Sequence, residues 1–150
     1  MMSLKVEQSV WIAASRERVW RAITDPEQLS QWWSPHRWEI PSLEVGAGVK
    51  FGDDEGYSFA TIENLDPPNV FGLRWDPETA WPDVERHDIP LRTIYVLTEE
   101  DGGTRVKVTE TGFESLPDDV RRRRFDMTVQ GYVQVLDDLQ ALVESEAGQK

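Results

Sequence analysis

The longest periodic stretch of the chain is residues 116–146. Phe125, Val129, Tyr132, Leu136, Leu139 and Val143 recur at spacings of 4, 3, 4, 3 and 4. These spacings keep them on one stripe of a 3.6-residue period and predict an amphipathic helix. Val133 widens the stripe on one side, and Val135 and Leu142 on the other. Asp126, Gln130, Gln134, Asp137, Asp138 and Glu144 fall on the opposite face. Pro117 suits the first turn, and Ser115 with Asp118 resembles a capping box. Asp118 and Asp119 oppose the positive end of the helix dipole. A helix of about 30 residues is about 45 Å long. Gly131 within it costs about 1 kcal/mol relative to Ala, which points to a close approach by another element. No earlier stretch is a comparable helix, so the apolar stripe needs a sheet to lie against.

Before residue 116 the pattern is mostly of period two. Residues 5–13 read as a strand with Val6, Val10 and Ile12 on one face and Glu7, Ser9 and Trp11 on the other. Ser15 is an N-cap for a short helix carrying Val19, Trp20 and Ile23. Asp25-Pro26-Glu27-Gln28 starts a second helix, which runs to Trp32-Trp33 and is stopped by Pro35. Residues 37–45 read as an extended edge strand that Pro41 interrupts. Residues 49–53 and 57–65 form a hairpin about Asp54-Glu55-Gly56. After the Asp66–Asn69 turn, residues 70–75 place Phe71, Leu73 and Trp75 on one face. Residues 76–90 hold three prolines and many charges and read as a long loop. Residues 91–100 and 104–111 make the last hairpin about Asp101-Gly102-Gly103, a strong turn signal, and Val106 and Val108 belong to the inner face. Strand, two short helices, about six strands and a long helix amount to an α+β fold of six to seven antiparallel strands. That sheet has to curve, because one helix cannot cover it flat.

Composition narrows the field. At 150 residues the chain is most simply one domain. It has no cysteine, which excludes a disulfide scaffold, a thiolate metal site and a Cys nucleophile, and suits the cytoplasm. No apolar run reaches the ~20 residues of a membrane span, and the opening MMSLKVEQ is no signal peptide. A net charge of -12 repels phosphate backbones, so nucleic acid is a poor partner. The basic run Arg121–Arg124 points around most of a helix circumference and reads as a solvated face. Seven tryptophans exceed what a core of this size needs.

The order of elements, with Ser15-Arg16-Glu17-Arg18-Val19-Trp20-Arg21-Ala22-Ile23-Thr24-Asp25-Pro26-Glu27-Gln28-Leu29, the Trp32-Trp33 pair, Gly103-Thr104 with Val106, Val108 and Gly112-Phe113, and Gly131-Tyr132 before Leu136 and Leu139, resembles the START-like (SRPBCC) superfamily. Within it, the chain resembles the activator of heat-shock-protein-90 ATPase homologue family. Tyr132 departs from the usual Gly-Trp. The resemblance covers about residues 5–145 and implies a helix-grip fold, with a curved sheet wrapped around the C-terminal helix. It also implies a ligand cavity between sheet and helix, lined by inward aromatic residues. The candidates are Trp33, Phe51, Phe59, Phe71, Trp75, Tyr95 and Tyr132, each of which could equally be plain core. As a set, flat rigid rings leave room for flat ligands. Trp81, in the 76–90 loop, either folds back on the core or covers an opening.

Other chemistry is sparse. His36 and His87 are the only histidines, and the acidic neighbours of His87 match no ligand spacing, so no metal site or cofactor is expected. No Ser-Asp-His order, no Gly-x-Ser-x-Gly and no phosphate-cradling loop is present. Arg74 and Glu110 are the polar residues to watch: an inward Arg or Glu would orient a ligand carboxylate or hydroxyl, although alternation turns Arg74 away. The leading expectation is a non-catalytic module that binds a small apolar or aromatic molecule. The alternatives are a co-chaperone-like domain that binds a chaperone or other protein, and an enzyme of the polyketide cyclase or dehydratase type with one acid/base in an apolar cavity. The oligomeric state is left open.

Overall fold

A computed structural model describes residues 5–33, 37–80 and 91–147. The elements run β1 (Lys5–Ile12), α1 (Arg16–Thr24), α2 (Pro26–Trp32), β2 (Arg37–Glu39), β3 (Gly48–Asp53), β4 (Gly56–Asp66), β5 (Val70–Trp75), α3 (Pro77–Ala80), β6 (Leu91–Glu100), β7 (Gly103–Thr111) and α4 (Asp118–Ala147). The strands form one antiparallel sheet in the order β1-β7-β6-β5-β4-β3-β2. It is the α+β helix-grip architecture, with the sheet curved about the long C-terminal helix.

Local chemistry fixes the joints. Ser15 caps α1 by accepting from the Arg18 backbone N–H, and Asp25 caps α2 by accepting from Glu27. Asp101 and Gly102 turn β6 into β7 with φ of 50° and 79°, the two positive angles that a type I′ hairpin requires. In β4, a register shift between Ile62 and Asn64 lets the strand bend against β5.

The helix is anchored at its C-terminal end. Leu136, Leu139 and Val143 are buried, whereas Phe125 and Val129 are only half-buried. Of the strands, α4 packs most closely on β1. Gln140 Nε2 donates to the Trp11 carbonyl (2.7 Å), and Glu144 accepts from the Ala13 backbone N–H (3.0 Å). Val6, Ile12, Val106 and Val108 face inward beneath it and are fully buried. Trp11 faces outward, and its indole N–H donates to the Glu100 carbonyl (2.7 Å).

Several expectations change. Pairing of the predicted 37–45 strand stops after Glu39, because Pro41 has no N–H to offer the ladder. The chain rejoins the sheet at residues 46–47, where Gly46 and Ala47 bond to Ile62. Val133 does not widen the apolar stripe: it is 50% exposed, so the stripe broadens only toward Val135 and Leu142. The 76–90 loop begins with the one-turn α3, in which the Thr79 hydroxyl accepts from the Phe59 backbone N–H (3.0 Å). Trp81, His36 and His87 lie outside the described residues, as does the Ser115 side chain of the expected capping box.

Leu136→Ala should cost about 2–5 kcal/mol, as buried Leu truncations do. Gln134→Ala, on the solvent face with only an exposed contact to Asp138, should stay within about 0.5 kcal/mol. Chemical denaturation of the two variants checks the phase of the helix; equal losses would mean the phase is wrong.

Candidate functional site

Toward its N-terminal half α4 stands away from the sheet, and a cavity of about 320 Å³ opens beneath it. Its walls come from most of the fold. The end of α2 supplies Trp33; β2, β3 and β4 supply Trp38, Phe51 and Ser58; β5 supplies Leu73 and Trp75; β6 supplies Leu91, Thr93 and Tyr95; β7 supplies Glu110. Helix α4 closes it with Arg124, Met127, Thr128, Gly131 and Tyr132. Met127 is 63% exposed, which marks this side as the mouth.

Of the sequence candidates, Trp33, Phe51, Trp75, Tyr95 and Tyr132 meet at the cavity. Trp33 has ring centroids 5.5 Å from Phe51, 6.0 Å from Tyr132 and 6.1 Å from Trp38. Trp38 and Phe51 are 4.6 Å apart, and Trp75 lies about equally far from both, at 6.1 and 6.0 Å. Two candidates fall elsewhere. Phe59 is on the outer face and 44% exposed. In β4 the inward positions are Ser58, Ala60 and Ile62, and Phe59 shares its parity with Thr61 and Glu63. Phe71 faces inward but is consumed by packing, 6.1 Å from Trp20 and 6.4 Å from Tyr95.

Trp38 was not anticipated, although its place between Arg37 and Glu39 signals one inward residue in a short strand. Gly131 plays a different part from the one expected. A Cβ built there meets nothing within 4 Å, so no element approaches the helix at this point. The missing side chain instead leaves the cavity mouth clear.

The polar residues converge on Glu110. Its parity with Val106 and Val108 turns it inward, and it is only 7% exposed. Arg74, by contrast, is exposed. Glu110 Oε1 accepts from the Thr93 hydroxyl (2.6 Å) and from the Tyr132 hydroxyl (3.1 Å). Thr93 Oγ1 in turn accepts from the Trp75 indole N–H (3.0 Å), which commits the Thr93 proton to Glu110. Among the described residues no hydrogen bond engages Oε2.

Burial raises the Glu110 carboxyl from its ordinary 4.5 to about 7, with the Thr93 and Tyr132 hydrogen bonds pulling the other way. Burial, and then the Glu110 charge, push the Tyr95 and Tyr132 hydroxyls above their ordinary value, so both stay protonated. The Trp33 indole N–H favours the charged form of Tyr95 but falls short of hydrogen-bond geometry. Among the described residues no group of three or more acidic or histidine side chains is placed to hold a metal, and no helix is long and apolar enough to cross a membrane.

A carboxyl whose folded pKa is raised binds protons more tightly in the folded state. Its contribution to stability is therefore fully present below about 4.5 and is lost as pH rises through about 7. The loss is on the order of 3 kcal/mol, from about 1.4 kcal/mol per pKa unit. Glu110→Gln keeps the shape and removes the titration. It should be more stable than wild type at pH 8, with the advantage shrinking toward pH 5, as read from melting temperatures across that range. Parallel pH profiles for the two proteins would refute the raised value.

Residues 13–144 match the family model described as Activator of Hsp90 ATPase homolog 1-like protein. No curated protein matches the chain. Among solved structures, MLL2253 from Mesorhizobium loti is similar with a TM-score of 0.76 at 19% identity, over 95% of this chain and 98% of that one. The Aha1 dimer from Colwellia psychrerythraea gives 0.70 at 18%, over 94% and 96%. DynU16, from the dynemicin biosynthetic locus, gives 0.73 at 18%, over 95% of this chain but 48% of its own. At such identities the likeness is one of fold. The family match, by contrast, spans most of the sequence, and with the helix-grip sheet and its cavity it establishes that the chain belongs to the Activator of Hsp90 ATPase homolog 1-like family.

Proposed function

We propose that this domain binds a small, flat, largely apolar molecule in the cavity between α4 and the sheet. The observation that carries the reading is the wall of Trp33, Trp38, Phe51 and Trp75 around about 320 Å³ of space. That volume is at the lower end of small-molecule sites, roughly 300–1,000 Å³, and the pairing of apolar walls with a few polar groups is typical of them. Ring stacking adds about 0.5–1.5 kcal/mol per pair beyond burial. A few such contacts suffice for micromolar affinity, on the order of -8 kcal/mol. Glu110 gives the site its orientation, since a ligand hydroxyl or N–H placed at the carboxyl replaces a lost water contact.

The family's description and the Colwellia relative suggest protein binding instead, and DynU16 suggests a place beside natural-product chemistry. The aromatic cavity favours a small molecule over a protein partner.

Binding of flat aromatic compounds should quench tryptophan fluorescence and raise the melting temperature. Trp75→Ala should weaken binding, and Trp11→Ala, on the outer face, should not. Gly131→Phe adds a ring at the mouth, where a Cβ meets nothing. It should abolish binding while leaving the fold intact by circular dichroism. If a broad panel of flat apolar compounds changes neither fluorescence nor melting temperature, protein binding through the surface becomes the better reading.

A further inference from the structure

Glu110 is set up for more than orientation. Both of its hydroxyl partners bond the same oxygen, Oε1, and the Trp75 indole fixes one of them in turn. The carboxyl is thereby held in one orientation, with Oε2 left for whatever occupies the cavity it lines. We propose that Glu110 is a general base, and once protonated a general acid, that moves a carbon-bound proton of a flat conjugated carbonyl compound held against the cavity's rings. This inference rests on the binding reading and adds a reaction to it.

The step balances within the site. Oε2 takes a proton from the carbon next to the ligand carbonyl, and the C–H electron pair passes into an enolate. The Glu110 acid then returns the same proton to another carbon of the conjugated system, giving an isomer with no co-reactant. Apolar walls keep bulk water from competing for the proton. Among the described residues the groups that face Glu110 are few: Thr93 and Tyr95 from β6, Tyr132 from α4, and apolar Val6 opposite it on β1, with Arg124 lining the same cavity. Both tyrosines remain neutral, so Glu110 titrates near neutrality as the proton-transferring group.

A flat carbon acid with a coloured product tests this directly: 5-nitrobenzisoxazole. Removing its ring C–H proton sends the electron pair into a nitrile, breaks the N–O bond and releases a yellow cyanonitrophenolate, and Glu110 keeps the proton until water takes it. Quenching of tryptophan fluorescence by the same compound reports binding separately. Wild type should bind it and open the ring saturably, with a rate that rises with pH through an inflection near 7. Glu110→Gln should still bind but lose about 100-fold or more in rate, the usual scale for general-base loss. Tyr132→Phe removes a donor to the carboxylate and should move the inflection to higher pH, a shift that mere structural damage would not cause. Quenching without ring opening beyond that of free acetate at equal concentration overturns the base and leaves the binding reading standing, as does a Glu110→Gln variant as fast as wild type. Absence of quenching by this compound and by the whole panel of flat compounds overturns both.

Discussion

One long helix, with only two short ones beside it, has to cover seven strands. Strands about 4.8 Å apart make a sheet roughly 30 Å across, while a helix with its side chains is roughly 10–12 Å wide. The sheet therefore curls, and contact between helix and sheet cannot be equally tight everywhere. Here it is tight over β1, where Leu136, Leu139 and Val143 are buried and Gln140 and Glu144 bond to backbone of residues 11 and 13. Toward the β2 side it is loose, and large rings reach across the remaining space without filling it. The cavity is the geometrical remainder of a helix that lies tight on β1 and stands off the opposite side of the sheet.

That remainder dictates how polar groups within it behave. A carboxyl at its floor has little water to stabilise a charge, so its proton is held until about neutral pH. Thr93 and Tyr132 prevent the penalty from growing, since each donates to the charged form. A Glu on an inner face is an unusual residue to retain for packing alone, because apolar side chains serve that purpose without a desolvation cost.

The tryptophans divide the labour in the same way. Trp20 packs on Phe71, and Trp32 bonds the Ala22 carbonyl, so both belong to the frame. Trp11 braces the β6–β7 hairpin from outside. Trp33, Trp38 and Trp75 border empty space. Their residue type is the same in each role; only the neighbours distinguish a wall from a filling.

The sequence by itself determined most of the elements and most of their inward faces. The 4-3-4-3-4 spacing of the α4 stripe, the Asp101-Gly102 turn and the caps at Ser15 and Asp25 are local chemistry, and local chemistry is written in order along a chain. Alternation also held the answers for Glu110, with the parity of Val106 and Val108, and for Phe59, with that of Thr61 and Glu63. Only the tertiary structure decided which inward residues border a void. Phe71 and Trp75 share a face of one strand, yet one is enclosed by Trp20 and Tyr95 and the other opens on the cavity. Gly131 likewise turned out to clear a mouth, with no other element packed against it. A void is set by the distance between elements far apart in sequence, and no pattern within one element encodes that distance.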